Sequence, residues 1–337
     1  IGLAQAKLLY CLPAGPRLPR GEKSMSFASE VKNELSRTDA EKKCCQLAEI
    51  AGFLRVSGSI GLAGGGRFKI IITSENPAVI RHYKKLLHDY FDAETVLEVS
   101  EASSIGKRRE YKITIDPDNR SEQILRETGI LLVREGNNYI SDGIYDGIVK
   151  SKCCKRAYLR GIFMGAGTMS DPEKSYHLEF VCGSESLAKD LKKLINSFAD
   201  LQARDFKRGN TYVVYMKKAD YVADMLGIMG ADTHSLIIEN TLVEKSVKNE
   251  ANRMANCDNA NTDRIVAAAM KQVKAVEKIQ EKKGLNWLPD KLREVAELRQ
   301  ENPDISIKEL GEMCRPPLKK SGINGRLKKI EEIASKL

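Results

Sequence analysis

Cys44-Cys-Gln-Leu-Ala-Glu-Ile-Ala-Gly-Phe-Leu-Arg-Val-Ser-Gly58 is one of two copies of a single stretch. The other is Cys153-Cys-Lys-Arg-Ala-Tyr-Leu-Arg-Gly-Ile-Phe-Met-Gly-Ala-Gly167. At constant offset, Cys44 falls on Cys153, Cys45 on Cys154, Ala48 on Ala157, Gly52 on Gly161 and Gly58 on Gly167. The match continues downstream, where the stretch from Phe68 to Thr73 falls on that from His177 to Cys182, and Tyr111-Lys-Ile-Thr-Ile lies opposite Tyr212-Val-Val-Tyr-Met. The chain therefore contains a unit of about a hundred residues twice over, and a repeat of this kind decides the architecture before any single element does.

Each unit opens on a helix with a face of small residues. Ala48 and Gly52 are four apart, as are Ala157, Gly161 and Gly165, so they stack along one side. A helical glycine costs about 1 kcal/mol relative to alanine, and the usual compensation is close approach of another backbone. The pattern predicts that the two helices cross face to face and form the axis of a pseudo-twofold domain.

The stretches from Ile50 to Gly58 and from Leu159 to Gly167 resemble the two signature helices of LAGLIDADG homing endonucleases. In that family an acidic residue just before the final glycine of each helix helps hold divalent metal, which in-line phosphodiester hydrolysis requires. Here those positions are Ser57 and Ala166, and an earlier acidic position is Arg55 and Met164. Asp171 stands nearby in the second copy, with no counterpart in the first. The resemblance implies the scaffold without the nuclease chemistry, so no catalytic residue, metal or cofactor is expected.

From Met25 to the C-terminus the chain is more closely similar to the WhiA family of sporulation transcription regulators. The residues that carry this are Met25-Ser-Phe-Ala-Ser-Glu-Val-Lys-Asn-Glu-Leu35, the run from Gly165 to Glu179, Asn252-Arg-Met-Ala-Asn-Cys-Asp-Asn-Ala-Asn261 and the run from Lys320 to Ala334. The resemblance implies a degenerate LAGLIDADG domain joined to a C-terminal helix-turn-helix. It also implies sequence-specific binding of double-stranded DNA in sporulation or cell-division control, and a cytoplasmic, nucleoid-associated protein. An alternative is an interaction scaffold that acts through a sigma factor of RNA polymerase or another DNA-bound regulator.

Composition agrees with a polyanionic partner. Net charge is +9 over 337 residues, with 42% apolar and 30% charged, the balance of a folded chain. No apolar run approaches the roughly 20 residues that span a bilayer, so no membrane partner is expected. The eight cysteines do not form CxxC pairs, and the four histidines are scattered. The vicinal pairs Cys44-Cys45 and Cys153-Cys154 stand at equivalent helix starts, which a twofold axis would bring to one end. Two accounts are open there: a four-thiolate metal site, or small buried thiols packing a helix start, the blander of the two.

Taken in order, residues 1–24 carry Pro13, Pro16 and Pro19 and are expected to be a disordered leader upstream of a start at Met25. Repeats are expected at 25–130 and 131–236, each roughly α-β-β-α-β-β-α with antiparallel sheets. The equivalent hairpins carry Lys107, Arg108 and Arg109, and Lys207 and Arg208, which would either touch phosphates from a saddle-shaped sheet or be solvated turns. A helical linker is expected at 237–284, broken by a turn at Asn256 to Asn261. Arg253, Asn256 and Asp258 read as part of a structural joint there rather than as an active site.

The last segment, 285–337, is expected to be an all-α helix-turn-helix domain. Pro289 opens its first helix and Asn302-Pro303 ends it; Ser306-Ile-Lys-Glu309 is a capping box with Leu310 and Met313 turned inward. A loop is expected from Arg315 to Gly322, then a third helix burying Ile323, Leu327, Ile330 and Ala334. From Arg315 to Lys329 the chain carries cations and no acid. The expected DNA-binding residues are Arg315, Lys319, Lys320, Ser321, Asn324, Arg326, Lys328 and Lys329. Asn324 suits adenine and Arg326 guanine, whereas a small helical bundle docking another protein is the competing account. The fold class is thus α+β, a pseudo-twofold two-repeat LAGLIDADG-like domain followed by an all-α domain.

Overall fold

A computed structural model describes residues 25–40, 42–101 and 109–337. The expected leader and the loop cations Lys107 and Arg108 lie outside these residues. In chain order the elements are α1 (Phe27–Leu35), α2 (Lys43–Ser57), β1 (Gly58–Leu62), β2 (Phe68–Ser74), α3 (Pro77–Phe91), β3 (Val96–Glu101), β4 (Arg109–Ile115) and α4 (Ser121–Glu127). A hairpin follows, β5 (Leu131–Arg134) and β6 (Asn137–Ile140). Then come α5 (Lys152–Ala166), β7 (Gly167–Met169), β8 (Leu178–Cys182), α6 (Glu185–Asn196), β9 (Arg204–Arg208), β10 (Thr211–Met216) and α7 (Ala219–Met229). The chain ends with α8 (Asp232–Lys283), α9 (Asp290–Glu301), α10 (Ile307–Met313) and α11 (Lys320–Lys336). It divides into two units at 243/244.

In the first unit the repeat is visible in the strand order. One antiparallel sheet runs β1-β2-β4-β3 and the other β7-β8-β10-β9, so equivalent strands take equivalent places. The axis is the α2–α5 pair. A Cβ on Gly52 would stand 2.3 Å from the carbonyl oxygen of Tyr158, and one on Gly161 would stand 2.2 Å from that of Glu49. These contacts are images of one another under the repeat offset, since Gly52 matches Gly161 and Glu49 matches Tyr158. Only glycine admits backbones this close. Ile50, Phe53, Leu159 and Phe163 are buried on the same two helices, and Phe53 stacks on Tyr83 of α3.

The amphipathic helices follow their sequence pattern. α1 buries Ala28, Val31 and Leu35, and α3 buries Val79, Ile80, Tyr83, Leu86 and Leu87 behind an Asn76 side-chain cap. Lys32 of α1 is largely desolvated against Phe163, its Nζ 5.9 Å from the ring centroid. That burial, partly offset by Glu75, lowers its pKa to about 8.

The β5–β6 hairpin was not expected from the sequence. Its strands are four residues each, and its turn is Glu135-Gly136, both at positive φ. It joins the repeats, and Arg55 of α2 fastens it by donating to the carbonyls of Gly129 (3.1 Å) and Ser141.

The turn expected at Asn256 to Asn261 does not form, because α8 is one helix of 52 residues running through it. None of the six residues is glycine or proline, so each keeps its helical hydrogen-bonding capacity. Asparagine and aspartate cost only a fraction of a kcal/mol each in a helix interior, and the backbone carbonyl of Asp258 merely accepts from the Thr262 hydroxyl at 2.9 Å. Arg253, Asn256 and Asp258 are exposed along this continuous helix.

In the second unit Val276 and Ile279 of α8 share a core with α9, α10 and α11. Buried Arg299 donates to the carbonyl of Ile305 at 2.9 Å and holds the α9–α10 loop. Two details differ from expectation. Met313 is 46% exposed and Cys314 takes the inward place. The loop before α11 is also shorter than expected, since Lys320, Ser321 and Gly322 already form the helix's first turn. The predicted stripe Ile323, Leu327, Ile330 and Ala334 is buried throughout.

Candidate nucleic-acid interface

Ser57 and Ala166 end α2 and α5, where the endonuclease resemblance would require two carboxylates. Ser57 packs at this end of the axis, its Oγ 2.4 Å from where a Cβ on Gly165 would be. Asp171 serves a turn instead, accepting from the backbone N–H of Glu173 at 2.9 Å. The acid that does lie on the helix pair, Glu49, is fully buried. One of its oxygens accepts from Arg160 (Nε, 3.0 Å), and the other pairs with His82 at 2.8 Å. A carboxylate sequestered in this way is spoken for structurally and does not face a substrate.

Strand alternation decides what the sheets present. On β9, Arg208 shares a face with Arg204 and Phe206, and its guanidinium lies 3.2 Å from the Glu179 carboxylate of β8. Lys207 points to the other face, its Nζ 5.7 Å from the Tyr212 ring centroid. Consecutive cations on this strand therefore do not act together. Arg109 begins β4 and is exposed, while the neighbouring cation Lys112 pairs with Glu98 at 3.0 Å. Both sheets thus carry acids among their outward cations.

The cations of the second unit are arranged otherwise. Lys319 is the N-cap residue of α11, and Lys320 and Ser321 follow on its first turn, all exposed. Asn324, Lys328 and Lys329 are also exposed, and Arg315 lies in the preceding loop with its backbone N–H donated to Glu294 at 2.7 Å. Arg326 is different. It is half-buried and turns back to α9, donating to the Lys291 carbonyl at 3.3 Å with Glu294 at 3.8 Å. The acids Glu331 and Glu332 come only in the distal half of α11, where Glu331 pairs with Lys271 at 2.7 Å.

Two glycines complete this face. Gly325 has no heavy atom within 4 Å of where a Cβ would lie, and Gly322 has only the Leu318 side chain, at 3.9 Å. Unlike Gly52 and Gly161, neither makes room for anything inside the fold. Together they leave the first two turns of α11 low and smooth, flanked by Ser321, Asn324 and Lys328. The signal was present in the sequence as Gly322 and Gly325 within a helical period, but only the packing separates this case from the axis glycines.

A two-repeat LAGLIDADG-like domain with no carboxylate at the C-terminal ends of its two axis helices, followed by a helical unit of helix-turn-helix type, is a defined class of protein. Profiles of three domains match successive parts of the chain: the WhiA N-terminal LAGLIDADG-like domain at 43–131, the WhiA LAGLIDADG-like domain at 155–248 and the WhiA C-terminal HTH domain at 251–334. The chain belongs to the WhiA family. It is 42% identical over 312 residues to the probable cell division protein WhiA of Alkaliphilus metalliredigens, covering 93% of this chain and 98% of that one. With its counterpart from Clostridium beijerinckii it is 44% identical over 314 residues, at 93% and 99% coverage. The crystal structure of full-length WhiA from Thermotoga maritima matches at a TM-score of 0.58 and 26% identity, covering 93% of this chain and 99% of that one. Among the described residues no helix is long and apolar enough to cross a membrane.

Proposed function

We propose that this chain is a sequence-specific DNA-binding regulator whose second unit reads the duplex, and whose two-repeat domain keeps a nuclease scaffold without nuclease chemistry. The observation that carries this reading is the exposed face of α11. It has cations at its start, polar residues and two unsupported glycines along its first two turns, and acids only at its far end. A helix that enters a major groove uses its N-terminal residues for base edges and flanking cations for phosphates. Glycines facing outward let a backbone or base edge approach closely, which accounts for keeping two residues that each cost the helix about 1 kcal/mol. Related chains named as cell division proteins, and the WhiA resemblance, support a role in cell-division or sporulation control.

The test is binding of the full-length protein to duplex DNA across a salt series. Substituting Lys319, Lys320, Lys328 or Lys329 by alanine should each lower the salt slope by about one. Asn324→Ala should cost about 1–3 kcal/mol at one operator position and relax specificity there. If all five variants bind as the parent does, α11 is not the reader. Incubation with plasmid and magnesium should leave the DNA intact; magnesium-dependent cleavage by the parent that is lost in Ser57→Ala would sink the proposal that the nuclease chemistry is lost.

A further inference from the structure

At the opposite end of the α2–α5 axis from Ser57 and Ala166, four cysteines converge. Cys44 and Cys45 lie on the first turn of α2 and Cys153 and Cys154 on the first turn of α5, and all four Sγ atoms lie within 4.8 Å of one another. We propose that these four thiols form a tetrathiolate site for a soft divalent ion of the zinc class. It would join the two repeats about 20 Å along the helices from the lost nuclease end, taking 1.5 Å per residue.

The distances are those the chemistry needs. A zinc ion bound tetrahedrally at about 2.3 Å per sulfur holds its sulfurs about 3.8 Å apart. The cluster therefore has to contract by about 1 Å at most, within reach of small cysteine side-chain rotations. The repeat offset pairs Cys44 with Cys153 and Cys45 with Cys154, so an ion on the axis meets two equivalent pairs of ligands. That removes the usual objection to adjacent cysteines, because neither pair has to complete the coordination sphere alone.

Burial and charge agree with a ligand-binding role. Cys45 and Cys154 are buried while Cys44 is exposed and Cys153 partly so, which leaves an entry path from solvent. Thiols serving only as packing would have no need to place half their number toward water. Binding one divalent ion releases four protons from four thiols and leaves two negative charges on the site. Two helix N-termini meet that charge, and Lys42, Lys43 and Lys152 immediately precede or flank the ligands in sequence. Ser151 caps α5 through the Cys154 N–H, and its hydroxyl lies 3.2 Å from Cys153 Sγ, an outer partner of the kind that orients metal ligands. Four thiolates select zinc or a comparably soft ion over magnesium or manganese.

Cobalt(II) titration of the reduced full-length protein tests this without reference to DNA. The expected result is saturation at one equivalent, with a sulfur-to-cobalt charge-transfer band and the visible bands of tetrahedral cobalt, displaced by one equivalent of zinc. In the Cys44→Ser/Cys153→Ser double variant, which alters the more exposed pair, affinity should fall by at least roughly tenfold, the loss a change beside the ligands alone can produce. As a second measurement on the unaltered protein, zinc should shield Cys44 and Cys153 from alkylation, read by peptide mass spectrometry. No saturable binding, an unchanged cobalt spectrum in the double variant, or disulfide formation among these cysteines in preference to zinc uptake would each overturn the proposal.

Discussion

Arg160 and Glu49 form a buried ion pair across the two repeats, with Nε 3.0 Å from Oε2 and the Glu49 side chain wholly removed from solvent. The pair is not a product of the repeat, since Glu49 corresponds to Tyr158 and Arg160 to Ala51. Arg160 also donates to the Met229 carbonyl, and His82 satisfies the second carboxylate oxygen. Removing one partner leaves an uncompensated buried charge, which costs about 3–5 kcal/mol. Arg160→Met should therefore destabilise the first unit by that amount in urea unfolding. The Glu49→Gln/Arg160→Met double variant should cost clearly less than the two single changes summed. Additive losses would mean that the two side chains are not coupled.

Glycines on the axis and on the α11 surface should respond to alanine with opposite signs. Gly52→Ala or Gly161→Ala forces apart two backbones already in contact and should destabilise by about 1–3 kcal/mol or more. Gly325→Ala meets open space and should stabilise the second unit by about 0.5–1 kcal/mol. The same Gly325→Ala variant should bind DNA less well if that surface lies against the duplex. A stabilised variant with full DNA affinity would separate the glycine from recognition.

Lys32 makes a pH-dependent prediction. Its folded pKa, about 8, lies below its ordinary value of 10.5, so below pH 8 the folded chain bears the cost of a desolvated charge. Between about pH 8 and 10.5 the unfolded chain binds the additional proton, and the contribution of Lys32 to stability rises with pH. Lys32→Met should therefore stabilise the protein at pH 7 by about 1–3 kcal/mol. The gap between variant and parent should close as pH rises through that window, in denaturant unfolding at fixed ionic strength. A gap that is constant with pH would assign the effect to packing against Phe163.

Arg326 was expected at a base edge, yet its guanidinium is bound to α9 in the free protein. Arg326→Ala should lower the stability of the second unit by about 0.5–1.5 kcal/mol, the worth of an ordinary hydrogen bond. Lys328→Ala and Lys329→Ala should leave the thermal midpoint unchanged while weakening DNA binding. A large specificity change in Arg326→Ala without loss of stability would mean that the arginine swings out to the DNA.

The two-repeat domain was legible because its determinants are local and repeated: small residues four apart, a constant offset, alternating strands. The α11 stripe was legible for the same reason. Less accessible were features that depend on what is absent from a neighbourhood. Asn256 to Asn261 has the composition of a turn, but a turn needs a competing partner for the backbone, and α8 offers none. Met313 and Cys314 exchanged places because a short helix of seven residues does not fix its own phase. The basic hairpin at Lys207 and Arg208 seemed a single patch until strand alternation set its two cations on opposite faces. The cysteine pairs could be aligned by sequence, but only the crossing of α2 and α5 reveals that four sulfurs meet.

The length of α8 has a consequence for cooperativity. From Lys248 to Ala268 every side chain is exposed, so this part of the helix gains little from burial and contains several poor helix formers. Its hydrogen bonds should open by local fluctuation at a small fraction of the energy needed to unfold either core. Amide exchange should be fastest in this span among all helical positions and slow on either side of it. The two cores should then unfold in separate transitions, because the exposed span between them transmits very little free energy.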